Sequence, residues 1–250
     1  MTQNNSNPLV AFTMGAKGGP GKTTFICSLV DHFLHEKFPA SFIDADIENK
    51  SRGSLSYVFK DTPKLNIRTP RGLDNLVDRV LSGGTQTILA DLGAGSGQDT
   101  FAWFDDMHES LHEMGVRFLT IGVLTNDSAT TSTILHWAAA LKDRANYLLV
   151  RNHVAGDEFG YMFDSEQGKK FLKVAAPAVI DMEKRVPDIQ QELNDRGLSL
   201  RQALTASNDV LGPILSKDSA KIRMRGYVNR IEREFARVID TLLPAQTVKA

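Results

Sequence analysis

Four glycines, Gly15, Gly18, Gly19 and Gly21, fall within seven residues of one another between two apolar segments. Ahead of them runs Leu9-Val10-Ala11-Phe12-Thr13-Met14, and after them Ile26, Leu29, Val30, Phe33 and Leu34 recur at helical spacing. A buried strand, a glycine loop and a helix in that order leave few folds open. Glycines let the backbone curl until successive N–H groups point inward, which makes a cradle for polyphosphate. The helix that follows adds the positive end of its dipole to the same spot. Lys22 is then placed to neutralise phosphate charge, and the Thr23 hydroxyl to ligate Mg²⁺.

The loop departs from the common pattern G-x-x-x-x-G-K-[ST], because Ala16 stands where its first glycine belongs. It reads K-G-G-x-G-K-T-T, from Lys17 through Gly18, Gly19, Gly21, Lys22 and Thr23 to Thr24. In this form it resembles the deviant Walker A loop of the ParA/MinD family of P-loop ATPases. The resemblance implies ATP and Mg²⁺ as cofactors and an ATP-dependent homodimer, with Lys17 crossing to the nucleotide of the second subunit. It makes Lys17, Lys22 and an acid of the second strand the catalytic set.

The chain has 250 residues, 42% apolar and 24% charged, ordinary proportions for a globular protein with a sizeable core. A formal net charge of −1 means that any nucleic-acid binding must come from a local patch. The single cysteine, Cys27, allows no intrachain disulfide and no Cys-x-x-Cys metal site, and reads as a buried structural thiol. No apolar run reaches the length of a membrane span, and the polar start lacks a signal-peptide core. A cytoplasmic protein is expected, nucleoid-associated if DNA is its partner.

Residues 1–7 and 244–250 read as tails, and 8–243 as one domain. Strand candidates are 40–43 leading into Asp44-Ala45-Asp46, then 65–68, 87–91, 116–124, 147–150 and 178–180. Helices are expected over 73–81, from the glycine-rich 93–97 to Met114, and over 128–142, 187–194 and 219–243. A long loop over 155–167 precedes a short helix. Alternation of this kind predicts an α/β fold: a mostly parallel twisted sheet with helices on both faces and ligands at the carboxyl ends of the strands.

The other candidate site residues lie at such ends. Asp44 and Asp46 project to one side of the second strand, suited to a metal shell or a water to be activated. The ParA/MinD resemblance assigns Asp46 the attacking water and Asp44 the metal region, although Ile47-Glu48 replaces the Pro-Gln common there. Asp91 closes an apolar strand as a Walker B acid does, a metal carboxylate with Thr23. Gly93 follows where the family's second switch meets the γ-phosphate. In Leu149-Val150-Arg151-Asn152 the resemblance gives Asn152 to the adenine base, and no Asn-Lys-x-Asp guanine motif appears. The likeness extends over most of 9–243, through Pro177–Ile180, Val186-Pro187 and Arg196–Leu200.

Two further patterns compete with blander explanations. His108-Glu109-Ser110-Leu111-His112 spells a zinc-protease motif, but without a third ligand it reads as solvated helix. Lys217, Lys221, Arg223, Arg225, Arg230, Arg233 and Arg237 gather late in the chain, as a DNA-phosphate surface or as a solvated face paired with acids. A membrane partner is not expected, since Pro244–Ala250 lack a basic amphipathic stripe. The sequence therefore predicts an ATPase switch that positions or partitions DNA or a protein cargo. The alternative is a P-loop ligase of the amidoligase or dethiobiotin-synthetase type, and the lone cysteine speaks against a metal carrier.

Overall fold

The computed structural model describes residues 6–15, 19, 21–47, 52–82 and 86–246. In chain order the elements are β1 (Ser6–Asn7), β2 (Leu9–Thr13), α1 (Lys22–Glu36), β3 (Ala40–Ala45), α2 (Leu55–Val58), α3 (Pro70–Leu81), β4 (Thr87–Leu92) and α4 (Gly97–Glu113). They continue with β5 (Arg117–Leu124), α5 (Ser128–Leu141), β6 (Asn146–Asn152), a 3₁₀ turn (His153–Ala155), α6 (Gly160–Phe163), α7 (Glu166–Ala175) and β7 (Ala178–Met182). The chain closes with α8 (Pro187–Arg196), α9 (Leu200–Thr205), α10 (Asp218–Arg237), α11 (Ile239–Leu242) and β8 (Ala245–Gln246).

Six strands form one sheet in the order β3-β4-β2-β5-β6-β7, and every pairing is parallel. The expected α/β architecture is thus the observed one. The order places β2 between β4 and β5, so the end of β2 lies beside the ends of both neighbours. Strands inside such a sheet are buried on both faces, which is why β2 is apolar from Leu9 to Phe12 rather than alternating. Val10 and Phe12 pack with Ile43, Ile88, Trp103, Phe104 and Trp137 on one face. Leu9 and Ala11 pack with Phe25, Leu29, Phe33, Leu148 and Phe235 on the other. A third cluster, around Leu193, Leu200, Leu215, Met224 and Tyr227, joins α8, α9 and α10.

Local chemistry sets the boundaries. Thr69 caps α3 by accepting from Gly72 N, with Pro70 at the first helical position. Gly197 ends α8 at φ +63. Ser199 and Gln202 form a reciprocal capping box on α9.

Several expectations are corrected. The segment 65–68 is not a strand: only Lys64, just before it, makes a parallel bridge, to Asp44, and 65–68 turns into α3. Its apolar alternation comes from Ile67, which is buried in the core while the segment runs as a loop. The 155–167 loop contains α6, pinned by buried Phe159 and Met162. The helix expected over 219–243 breaks at Val238 into α10 and α11, which lets Val238 and Leu242 both enter the core. The two expected tails meet, Ser6–Asn7 pairing antiparallel with Ala245–Gln246, while 1–5 and 247–250 lie outside the described residues. Cys27 is half-buried, and burial pushes its thiol well above the ordinary range.

Candidate phosphate-loop site

The site is built where β2, β3, β4 and β6 end. Gly21 takes φ +91 and caps α1, whose first hydrogen bond runs from Phe25 N to Gly21 O at 2.9 Å. Gly19 also has positive φ, +107. Lys17 and Gly18 lie outside the described residues.

Thr23, in the first turn of α1, donates to Asp91 Oδ2 at 2.7 Å. Thr13, at the end of β2, donates to Asp91 Oδ1 at 3.0 Å and accepts from Leu92 N at 2.8 Å. Burial pushes the Asp91 carboxyl up to about 6, against the opposing pull of the Thr23 hydrogen bond, the Lys22 charge and the Thr13 hydrogen bond. Burial likewise lowers Lys22, which Asp91 and Asp46 partly offset. The structure therefore brings Lys22, Thr23 and Asp91 together with Asp46 close by. A hydroxyl and a carboxylate facing each other suit a hard cation that takes oxygen ligands. Thr13 escaped the sequence reading; its signal was one hydroxyl at the end of an otherwise apolar strand.

Asp46 stands against the loop after β4. A methyl group on Gly93 would come 2.6 Å from Asp46 Oδ1, so this approach needs a glycine. Gly15 is equally confined, since a methyl there would meet Ser96 Oγ at 2.4 Å and Gly93 O at 2.7 Å. Ser96 is buried and its hydroxyl donates to Gly93 O at 3.0 Å.

Asp44 lies at the foot of the turn that carries Asp46. It is fully buried, and its Oδ2 accepts from Ser56 N at 3.0 Å and Ser56 Oγ at 2.5 Å. Lys64 Nζ lies 3.5 Å from the same oxygen, and Oδ1 accepts from Asp46 N at 3.1 Å. In this arrangement Asp44 braces the turn carrying Asp46 and the start of α2.

Asn152 ends β6 and is buried against the glycine loop. A methyl on Gly21 would lie 2.4 Å from its Nδ2, while Oδ1 accepts from Val154 N at 3.2 Å. Thr24 follows Thr23 in the first turn of α1. It borders a polar cavity of about 30 Å³ with Cys27, Ser28, Asp31 and Arg185. Burial lowers Arg185 to about 10, and its guanidinium donates to Ser28 Oγ at 2.7 Å and Gln190 Oε1 at 2.9 Å. Arg185 thus ties α1 to the start of α8.

The zinc-protease pattern stays apart from all this. His108 and His112 stack on α4, with His108 Nε2 3.0 Å from Arg144 O. Among the described residues no group of three or more potential ligands could hold a metal. Among them, too, no helix is long and apolar enough to cross a membrane.

No family model matches the chain, and no curated protein matches it. Solved structures do. The septum site-determining protein MinD complexed with Mg-ADP from Pyrococcus horikoshii OT3 aligns over 90% of this chain and 96% of its own, with TM-score 0.53 and 13% identity. The MinD cell division protein of Aquifex aeolicus aligns over 90% and 97%, with TM-score 0.49 and 15% identity. The signal recognition particle receptor FtsY of Elizabethkingia anophelis aligns over 74% of this chain and 63% of its own, with TM-score 0.47 and 13% identity. At 13% identity the likeness to the Pyrococcus protein is one of fold alone, a parallel sheet flanked by helices.

Proposed function

We propose that this protein is an Mg²⁺-dependent ATPase of the ParA/MinD type, a switch that pairs with a second copy of itself when ATP is bound. The observation that carries this reading is the closure of Thr23 onto Asp91 at 2.7 Å, at the head of a helix capped by positive-φ Gly21. In this reading the amides of Gly18, Gly19, Gly21 and Lys22 cradle the phosphates, Lys22 neutralises them, and Thr23 and Asp91 hold Mg²⁺. When bound, the ion would neutralise phosphate charge. Asp46, opposite Gly93, orients the attacking water, and Asn152 reads the adenine. Thr24 supports the loop from the α8 side, and Asp44 acts through Asp46 by holding its turn. Lys17 is the residue offered to the partner subunit.

A DNA or protein cargo is part of the proposal. On α10, Arg230 pairs with Glu183 and Arg237 with Glu234. Among the described residues no carboxylate lies within ion-pair distance of Lys217, Arg223, Arg225 or Arg233. Apart from Arg233, this charge lies over 217–225, at the start of α10, where it suits phosphates read without sequence.

Size exclusion with ADP and with ATP tests the switch. Wild type should dimerise with ATP, Lys17→Ala should weaken the dimer, and Asp46→Ala should trap it. A chain that stays monomeric with ATP, yet turns it over when a carboxylic acid is added, is a ligase instead. A DNA shift assay across salt concentrations tests the α10 surface, with Arg223→Glu/Arg225→Glu expected to abolish the shift. No shift by wild type at low salt removes DNA as the cargo.

A further inference from the structure

Strand β3 is one edge of the sheet, and residues 63–65 run along its end. Asp44 N donates to Pro63 O at 3.0 Å and Leu65 N to Asp44 O at 2.9 Å. From this position Lys64 Nζ reaches Asp44 Oδ2 at 3.5 Å and donates to Asp46 O at 3.3 Å. One turn further on, Arg68 crosses to the other side of the site. Its guanidinium donates to Ala94 O at 2.8 Å and lies 3.7 Å from where a methyl on Gly95 would be.

Two cations on one short segment thus grip two different loops, the turn carrying Asp46 and the Gly93–Gly95 loop after β4. The segment itself is anchored. Arg68 N donates to Asn66 Oδ1 at 3.0 Å, and a methyl on Gly72 would overlap Asn66 O at 1.8 Å, so the turn into α3 is closed tightly. Asp74 on α3 accepts from Trp103 Nε1 of α4 at 2.9 Å, and α4 starts where the Gly93–Gly95 loop ends. A planar trans peptide also fixes orientation, since holding Ala94 O at Arg68 turns the Gly95 N–H to the opposite side.

We propose that Arg68, supported by Lys64, is a positioning residue. The segment 63–68 straps the two loops together, so that Asp46 and the Gly93–Gly95 backbone meet the terminal phosphate of a nucleoside triphosphate as one unit. The inference rests on the nucleotide reading above. A charge-assisted bond to a glycine-flanked carbonyl restrains a segment that would otherwise sample many conformations. The strap should therefore matter for turnover, which needs both loops at once, and little for ADP, which lacks the terminal phosphate.

The test uses the full chain as wild type, Arg68→Ala and Arg68→Lys, with thermal melts to verify folding. Three quantities are read: ADP affinity, the kcat for ATP, and amide hydrogen exchange over residues 92–96. Arg68→Ala should keep ADP affinity within about twofold, lower kcat about tenfold or more, and speed exchange over 92–96. Arg68→Lys should restore part of kcat. Unchanged kcat, or ADP affinity and kcat falling together with no rescue by lysine, overturns the strap. Exchange at the wild-type rate over 92–96 in Arg68→Ala overturns it regardless of activity. Wild type that binds neither ADP nor ATP overturns the nucleotide reading itself, and the strap's role in turnover with it.

Discussion

Gly21 and Asn152 are held so closely that a single methyl group does not fit between them: built on Gly21, it would stand 2.4 Å from Asn152 Nδ2. The backbone at Gly21 is also left-handed, φ +91, which costs an L-residue about 1–2 kcal/mol. Gly21→Ala should therefore lower the melting temperature and abolish ADP binding. Asn152→Ala should leave the fold intact and narrow the preference for ATP over GTP. In the double variant the clash is gone and the backbone strain remains, so part of the lost stability returns. Melts and nucleotide titrations on the four proteins measure that coupling; strict additivity would show that the two residues do not meet.

Thr23 and Asp91 are expected to act as one unit toward the ion. Thr23→Ala and Asp91→Asn should each remove the Mg²⁺-dependent increment in ADP affinity, and the pair together should do little more than either alone. Calorimetric titration of ADP with Mg²⁺ and with EDTA checks this. An Mg²⁺ increment that survives Asp91→Asn would remove Asp91 from the metal site.

Two histidines should tilt stability with pH in opposite directions. His153 lies between Asp181 (2.7 Å) and Asp157 (2.5 Å), beside Arg151, with Glu183 and Lys184 on the same cavity and Glu234 of α10 bound to Asp181 N. Burial works against its charge, but the bonds to Asp181 and Asp157 prevail and raise its pKa above the usual value. Its stabilisation is complete below about pH 6.5 and is lost as pH rises through the folded value. His153→Gln should thus flatten a decline in melting temperature above pH 6.5. His32 is the reverse case: buried among Phe33, Phe38 and Phe235, with neither ring nitrogen hydrogen-bonded among the described residues, it has a lowered pKa because burial disfavours the charge. The unfolded chain takes up that proton first, so stability should fall as pH drops below about 6.5, and His32→Phe should remove that fall.

Gly122 offers a test of packing alone. It sits in β5 under α5, where a methyl would meet Ile134 Cδ1 and Cγ1 at 2.8 Å and Leu149 Cδ2 at 3.3 Å. Gly122→Ala should cost about 1–3 kcal/mol in urea unfolding through overpacking, with nucleotide affinity unchanged in the folded fraction. Ile134→Val in the same chain should recover some of it.

Much of this molecule was legible in the chain. The apolar run 9–14, the glycines at 19 and 21 and the periodic apolar residues of α1 are local signals, and they predicted β2, the loop and the helix in order. The strand-end positions of Asp91 and Asn152 were legible because each follows an apolar run, and parallel strands present their carboxyl ends to one edge. The apolar alternation at Leu65 and Ile67 misled, because period-two burial arises in any extended segment laid on a core. Nothing local foretold that Thr13 would share Asp91 with Thr23, or that Arg185 would tie α1 to α8 across 157 positions.

By itself, then, the sequence determined the order of strands and helices, the positive-φ positions at Gly19 and Gly21 and the types of group delivered to the strand ends. Those follow from backbone freedom and from the spacing of apolar side chains, both of which act over a few residues. Only the tertiary structure decided which groups face each other: that Asp44 turns to Ser56 and Lys64, that Asp46 lies on Gly93, and that Arg68 holds Ala94 O. The physical reason is that strand order and the packing of helices on both sheet faces fix distances between residues far apart in the chain, and a buried carboxylate or carbonyl must take its hydrogen bonds from whatever that packing brings within reach.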